Sequence, residues 1–348
     1  MSGAALRPVL RCSGRGRSRV VASALAIAVC LVPRSARAQS DVERLAGACS
    51  AASTTLAGPC LEAALALQAA HGAVGLAVSG GSDLPGHAST LGRRLGSSPR
   101  FALGARVGLT RADLIQPSGE APARSGSSWI RNYQASLAAG VFDGFSAAPT
   151  VGGILALDVF ATAFGVALPD DRGFQGSTAG FGLGARLGIL RESFTLPGVT
   201  LSVARRWVGE VEVGNADIPD PRSADFDVTV TSLRAALGKD LLAISFVAGI
   251  GWDRYRSDAR VRVSYEGSDL IGGPLAGGPP GVAEARNSAF GTERTLFFGS
   301  ASYTFLVLQL SAEGGYARGF EAVPGRASGG YDPAAGSVFV RLGARLTL

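Results

Sequence analysis

The sequence predicts an all-β fold, an antiparallel transmembrane β-barrel, from three observations. Apolar residues alternate with small or polar ones at a period of two, as in residues 101–109 and 181–189. Runs such as residues 150–164 and 240–255 exceed the ~5–6 residues of an average soluble strand, and a tilted membrane strand needs ~9–11. Connections between these runs alternate between short and long, which is typical of barrels that cross an outer membrane.

The first 38 residues have the features of a secretory signal peptide. Arginines precede an apolar run at residues 20–32, and Ala36-Arg37-Ala38 provides the small residues of a cleavage site. We therefore expect export through the general secretory pathway and a mature chain that begins at Gln39. Residues 1–38 carry seven arginines and no acidic residue, so removing them changes the formal charge from +6 to −1. That balance argues against a nucleic-acid partner.

Residues 39–70 are Ala- and Leu-rich and predict a helical hairpin at the periplasmic mouth of the barrel or partly inside it. Ser40 and Glu43 have the spacing of a capping box. Cys49 and Cys60 remain after cleavage, and in an oxidising compartment they predict one disulfide, with two unpaired thiols as the alternative. Acylation at Cys30 is the competing interpretation of the leader, but the bulky Val29 argues against it.

Charged residues recur on the small-residue face of the predicted strands. A soluble sandwich would bury the apolar face, whereas a membrane barrel turns it to lipid and turns the charged face to a wet lumen. These charges therefore predict either a charge-selective pore or an internal salt-bridge network that fills the barrel. The expected lumen-facing charges are Arg106, Asp158, Arg186, Arg234, Asp253, Glu313, Arg341 and Arg345.

The strand count depends on the start of the barrel, which we place over residues 71–348. Working back from a periplasmic C-terminus, an even count needs strands at residues 71–79 and 88–95, which gives about twelve strands. Ten is the alternative without these two pieces, and fourteen if the region around residues 259–266 adds a further pair. The other ten strands are expected near residues 100–110, 129–142, 150–165, 178–191, 198–208, 225–238, 241–256, 292–305, 307–320 and 336–348.

The signal peptide, the amphipathic strands and the final strand at residues 338–348 together resemble the porin-like outer-membrane β-barrel class. The chain departs from that class in ending on Leu348 instead of an aromatic residue. The resemblance implies an outer-membrane location in a Gram-negative-type bacterium, with lipid and the barrel-assembly machinery as partners. It also implies a channel or transporter for small solutes. The alternative is a non-conducting structural or adhesive barrel that acts through extracellular loops, especially residues 257–292.

Few residues in the sequence suit catalysis or a cofactor. His71 and His87 are the only histidines, and neither lies beside a matching serine on a predicted strand. His87 and Asp83 are expected to be a solvated loop pair. We expect no enzymatic activity, no cofactor and no metal site. Loop carboxylates without the ligand spacing of a known calcium loop are Asp170, Asp171, Asp217, Asp220, Asp225 and Asp227.

Overall fold

In a computed structural model of the chain, the described residues form two α-helices and ten strands. The structure describes residues 36–52, 56–92, 99–116, 124–146, 154–169, 174, 176–193, 196–214, 222–265, 281–320 and 330–348. The expected signal peptide up to residue 35 lies outside these residues, as do Asp170, Asp171, Asp217 and Asp220. The helices are α1 (Ala36–Cys49), followed by a 3-10 turn at Ser50–Ala52, and α2 (Ala57–Ser79). The strands are β1 (Phe101–Gln116), β2 (Arg124–Phe142), β3 (Ala156–Ala167), β4 (Ser177–Leu190), β5 (Gly198–Val213), β6 (Arg222–Leu241), β7 (Ile244–Tyr265), β8 (Gly281–Phe305), β9 (Leu308–Ala317) and β10 (Ser337–Thr347).

The ten strands form one closed antiparallel barrel. Each strand pairs with its neighbours in sequence, and β1 pairs with β10 to close the sheet. The expected count of twelve is therefore wrong, and the alternative of ten is confirmed. Residues 71–79 are the last turns of α2, and residues 88–92 run through the lumen without joining the sheet. The barrel accordingly begins at Phe101 and not at residue 71.

The apolar face of each strand points outward. On β1, Leu103 and Val107 are 47% and 48% exposed, whereas Ala102 and Arg106 on the opposite face are buried. A soluble sandwich buries its apolar face, so that alternative is wrong. An outer surface this apolar is stable only where lipid covers it.

The two ends of the barrel differ in their connections. At one end, here called the turn end, residues 143–155, 191–197, 242–243 and 306–307 join the strands. At the other end, the loop end, residues 117–123, 168–176, 214–221, 266–280 and 318–336 join them. The wall is tallest at the loop end, where β7 and β8 are 22 and 25 residues long and stay paired up to Tyr265 and Gly281. The region around residues 259–266 therefore extends one hairpin and adds no strands.

Helix α2 lies inside the barrel. Every residue from Ala63 to Ser79 is buried, and the helix has no polar face, which is the pattern of a helix packed on all sides. It enters at the loop end, where Glu62 pairs with Arg222 at 2.7 Å. Of the two expected positions of the helical segment, at the periplasmic mouth or partly inside the barrel, α2 occupies the second.

Helix α1 covers the inner face of the tall β7–β8 wall at the loop end. Val42 and Leu45 lie in the same apolar cluster as Val261 and Ala285. A Cys49–Cys60 disulfide joins the last residue of α1 to the first turn of α2. The structure thus pairs the two cysteines that the sequence singled out. Ser40 lies inside α1 and not at its start, so the expected capping box is wrong.

Glycines let α2 approach the barrel wall closely. A Cβ at Gly75 would lie 2.7 Å from the ring of Tyr255, whereas a Cβ at Gly47 of α1 would meet nothing within 4 Å. Gly75→Val is therefore expected to lower the free energy of unfolding by ~1–3 kcal/mol through overpacking. Gly47→Ala should raise it by ~0.5–1 kcal/mol, because alanine is the better helix former.

Urea unfolding in detergent micelles, followed by tryptophan fluorescence, measures both changes at Gly75 and Gly47. The two substitutions must have opposite signs. Equal stability of Gly75→Val and the parent protein would contradict the tight packing of α2 against Tyr255.

Candidate functional site: the occupied lumen

The inner wall of the barrel has an apolar half and a polar half. Toward the loop end, α2 packs on apolar side chains that include Phe226, Val230 and Ile130. Toward the turn end, the wall carries buried arginines and carboxylates. Among the described residues, six buried arginines face this part of the lumen against four buried carboxylates. The arginines are Arg106, Arg186, Arg206, Arg234, Arg341 and Arg345, and the carboxylates are Asp83, Asp158, Asp253 and Glu313. Arg294 is also buried but lies nearer the loop end, over the ring of Phe320.

His71 lies on α2 in the apolar half, fully buried among aromatic rings. The edges of Phe226, Tyr255 and Phe290 meet its ring with centroids 5.3 to 6.0 Å apart. Its Nδ1 lies 3.3 Å from the hydroxyl of Thr292. This enclosure suits a packing role for His71 and gives a substrate no access to its ring.

Two wall arginines bind the C-terminal end of α2. Arg341 donates to the carbonyl oxygens of Leu76 and Ala77 at 3.3 and 2.7 Å, and Arg234 donates to that of Ser79 at 2.6 Å. The last carbonyls of a helix have no partner within the helix and carry the negative end of its dipole. The barrel wall therefore supplies the cationic cap that the sequence of α2 lacks.

Residues 80–92 continue from α2 toward the turn end, and the wall binds their main chain. Arginine side chains donate to carbonyl oxygens along this segment, and Glu313 and Asp158 accept from the amides of Ser82 and Leu91 at 3.0 and 2.9 Å. Together with α2 this segment is here called the plug, residues 57–92. The arginine contacts are Arg234 to Gly81 at 2.9 Å, Arg106 to Ser82 at 2.6 Å, Arg345 to Pro85 at 3.1 Å and Arg186 to His87 at 3.2 Å.

The carboxylates bind partners on both the plug and the wall. Asp83 of the plug pairs with Arg206 of β5 at 2.5 Å, and both side chains are almost completely buried. Asp253 accepts from the Ser79 hydroxyl at 2.7 Å and pairs with Arg234 at 2.6 Å. Carbonyl oxygens and these four acids together balance the excess of arginines.

All eight charges named from the sequence lie buried and point into the lumen: Arg106, Asp158, Arg186, Arg234, Asp253, Glu313, Arg341 and Arg345. The wet lumen expected around them is wrong, because the plug occupies it. Sequence analysis missed Arg206 and Arg294. The alternation of residues along β5 could have identified Arg206. Leu201, Val203 and Trp207 define the outward face of β5, and residue 206 lies on the opposite, inward face.

His87 marks the turn-end mouth of the lumen, beside a pocket of about 410 Å³. Its Nδ1 lies 3.1 Å from Asp240 and 3.3 Å from the Ser245 hydroxyl, and its Nε2 faces Gln309 at 3.0 Å. The expected pair of His87 with Asp83 is therefore wrong. Because the serine and the carboxylate meet the same ring nitrogen, His87 cannot relay a proton from Ser245 to Asp240 in this geometry.

Two further features of the described residues concern metal ligands and membrane-spanning helices. In the part of the chain that the structure describes, no group of three or more His, Cys, Asp or Glu side chains could hold a metal ion. Within the same residues, α2 is long and apolar enough to cross a membrane, and 89% of its most apolar stretch is buried inside the barrel.

Comparison with known proteins gives likeness of fold only. No family model and no curated protein matches the chain. Neisserial surface protein A is 13% identical, with 71% of this chain and 96% of that chain covered and a TM-score of 0.25. The outer membrane protease OmpT from Escherichia coli is 8% identical, with coverages of 72% and 96% and a TM-score of 0.34. The transport unit of the autotransporter AIDA-I from Escherichia coli is also 8% identical, with coverages of 81% and 98% and a TM-score of 0.39.

Scores this low carry no argument about function, and the assignment rests on the geometry of the chain itself. Ten antiparallel strands close into a barrel, its outer face is apolar, and its polar groups point inward. In fold, the chain is an outer-membrane β-barrel protein.

Proposed function

We propose that this protein is a non-conducting barrel of the outer membrane that acts through its loop-end surface. One observation carries the proposal: the plug fills the lumen, and the wall binds its main chain from Leu76 to Leu91. A mobile occupant would not be held by so many buried hydrogen bonds, each worth ~0.5–1.5 kcal/mol net and more where a charge takes part. We propose no enzymatic activity, because the His87 cluster lacks a relay geometry.

Location in the outer membrane is part of this proposal. The apolar outer face requires lipid as a partner, and a closed barrel leaves no unpaired strand edge in the bilayer. A barrel of this kind also needs assembly machinery to insert it. Strand β10 keeps its alternation through Leu346, which supports recognition of the final strand despite the terminal Leu348.

A gated channel for small solutes is the second candidate. Both polar atoms of the Gln68 side chain, and both of Asn132, are buried without a hydrogen-bond partner among the described residues. Unpaired buried polar atoms are uncommon in a purely structural core. They favour a state in which α2 moves and solutes pass through the lumen. In that state, Arg186→Glu or Arg341→Glu should change ion preference.

Planar bilayer recordings of the purified protein test the closed lumen. We expect no stepwise current from the full chain. A protease site placed between Gly92 and Arg100 allows the plug to fold with the barrel before it is cut. The cut plug is then extracted with mild urea, and we expect stepwise current to begin. The control has the same site within residues 266–280, where cutting leaves the plug joined to β1. Steady current from the uncut chain would contradict the proposal and favour the channel.

A further inference from the structure

The plug runs through the barrel in a single direction. At the loop end, Asp41 of α1 accepts from the amide of Gly291, and Glu62 pairs with Arg222. Ser79 meets Asp253 within the polar half of the lumen. At the turn end, Leu91 reaches Asp158, and the amide of Arg100 contacts the carbonyl of Gly92 before β1 begins. The contacts proceed in sequence order from one mouth to the other.

This path makes the number of membrane crossings odd. Ten strands cross the bilayer, and an even number of crossings returns a chain to the side on which it began. The plug adds one more crossing, because α1 lies at the loop end and β1 starts at the turn end. Leu348 lies at the turn end, where its amide bonds to the carbonyl of Phe101. Helix α1 and the C-terminal strand end therefore lie on opposite sides of the membrane.

We propose that this barrel carries its own N-terminal segment across the outer membrane and holds it at the cell surface. The displayed unit consists of α1, the Cys49–Cys60 staple and the first turn of α2, seated on the inner face of the tall β7–β8 wall. Short connections of such barrels face the periplasm, so the loop end faces outward. The inference shares with the proposed function only the premise that the barrel spans the outer membrane, and a closed lumen is not required.

The staple explains how the unit stays at the surface. A helix with its side chains is ~10–12 Å across, and where α2 runs through the lumen it is the one helix between the described walls. The disulfide joins α1 to α2 side by side, which makes the segment two helices wide at the loop end. A unit of that width cannot slide back through a lumen that fits one helix.

The outward side of α1 is exposed. Val42 and Leu45 face the wall, whereas Glu43 and Arg44 point to solvent. The side chain of Arg44 is 67% exposed. The neighbouring outer surface carries cross-strand ion pairs such as Arg286 with Asp258, so the unit stands in water and not in lipid.

The lysine content of the chain gives a direct test. Lys239 is the only lysine, and it lies on β6 next to the turn end. An amine-reactive polymer too large to enter porin channels is applied to intact cells that express the full chain, and modification is read as a gel shift. Lys239→Arg is the blank, which also measures reaction at the amino terminus. Arg44→Lys introduces a single lysine on α1 of the Lys239→Arg variant. Arg262→Lys in the same variant is the matched surface control, because Arg262 is half-exposed on the extended part of β7.

We expect Arg44→Lys and Arg262→Lys to shift in intact cells, and wild-type Lys239 only after permeabilisation. A gel shift for Arg262→Lys without a shift for Arg44→Lys would overturn the proposal. Labelling of Lys239 alone in intact cells would also overturn it, because the barrel would then have the opposite orientation in the membrane. Heat-modifiable gel mobility verifies that each variant is folded. An epitope inserted between Gln39 and Ser40 gives a second reading, and antibody binding to intact cells is expected. Current in the bilayer experiment would refute the closed lumen and leave this labelling pattern unchanged.

Discussion

Arg206→Met is expected to lower the free energy of unfolding by ~3–5 kcal/mol, because it leaves the charge of Asp83 buried without its partner. Arg206 is fully buried and Asp83 is 3% exposed. Arg206 belongs to the barrel wall and Asp83 to the plug, so the same substitution should also loosen the plug. Urea unfolding measures the first effect, and brief openings in bilayer recordings measure the second.

The double substitution Arg206→Met with Asp83→Leu should recover most of the lost stability. Replacing a whole buried ion pair by apolar side chains is often neutral or stabilising. The matched control is Arg205→Met on the same strand, where Arg205 points outward and lies 5.5 Å from the ring of Trp207. An exposed contact of this kind is worth only ~0.5–1 kcal/mol. Equal losses at Arg205 and Arg206 would show that the pair with Asp83 does not hold the plug.

Strand periodicity predicted the barrel because it is a local property. Each outward position of β1, β4, β7 and β10 could be identified from a few neighbouring residues, and the charges opposite them point inward in the structure. Arg186 and Arg341 were placed in the lumen for this reason. The direction of a side chain follows from this alternation without knowing which strands pair. It can therefore be predicted correctly even when the strand count is wrong.

Helix α2 was partly missed because a helix buried on every side has no periodicity of its own. Residues 71–79 alternate small and larger apolar side chains, and a short run of that kind fits a strand or a buried helix equally well. The structure uses Gly75 in this run for close contact with Tyr255. The extra strands at residues 71–79 and 88–95 followed from this choice.

The occupant of the lumen could not be predicted from residue types. Most of the wall arginines bind carbonyl oxygens of the plug, and every residue has a carbonyl, so no sequence signal marks the partner of Arg106 or Arg345. The mouth through which the helices enter depends on the whole chain path. Sequence analysis could therefore place the helical segment only at the periplasmic mouth or partly inside the barrel.

Asp158→Ala is expected to lower the free energy of unfolding by ~3–5 kcal/mol, since it leaves Arg186 buried without its carboxylate. Asp158 is fully buried and lies 2.8 Å from Arg186 on the adjacent strand. Its two oxygens also accept from the amide of Leu91 at 3.0 and 2.9 Å. The substitution therefore affects the last hydrogen bonds that hold the plug before it leaves the barrel at the turn end.

The double substitution Asp158→Leu with Arg186→Met should not recover the lost stability. It should differ in this from the double substitution at Asp83 and Arg206. Both side chains lie on the wall, and each also binds the main chain of the plug, through Leu91 and His87. Removing the pair leaves an amide and a carbonyl buried without partners, and each such group costs ~1–3 kcal/mol. Urea unfolding of the single and double variants measures the difference. Full recovery of stability in the double variant would mean that these main-chain hydrogen bonds contribute nothing. A persistent loss of stability would show that hydrogen bonds to the plug backbone hold the plug in the lumen.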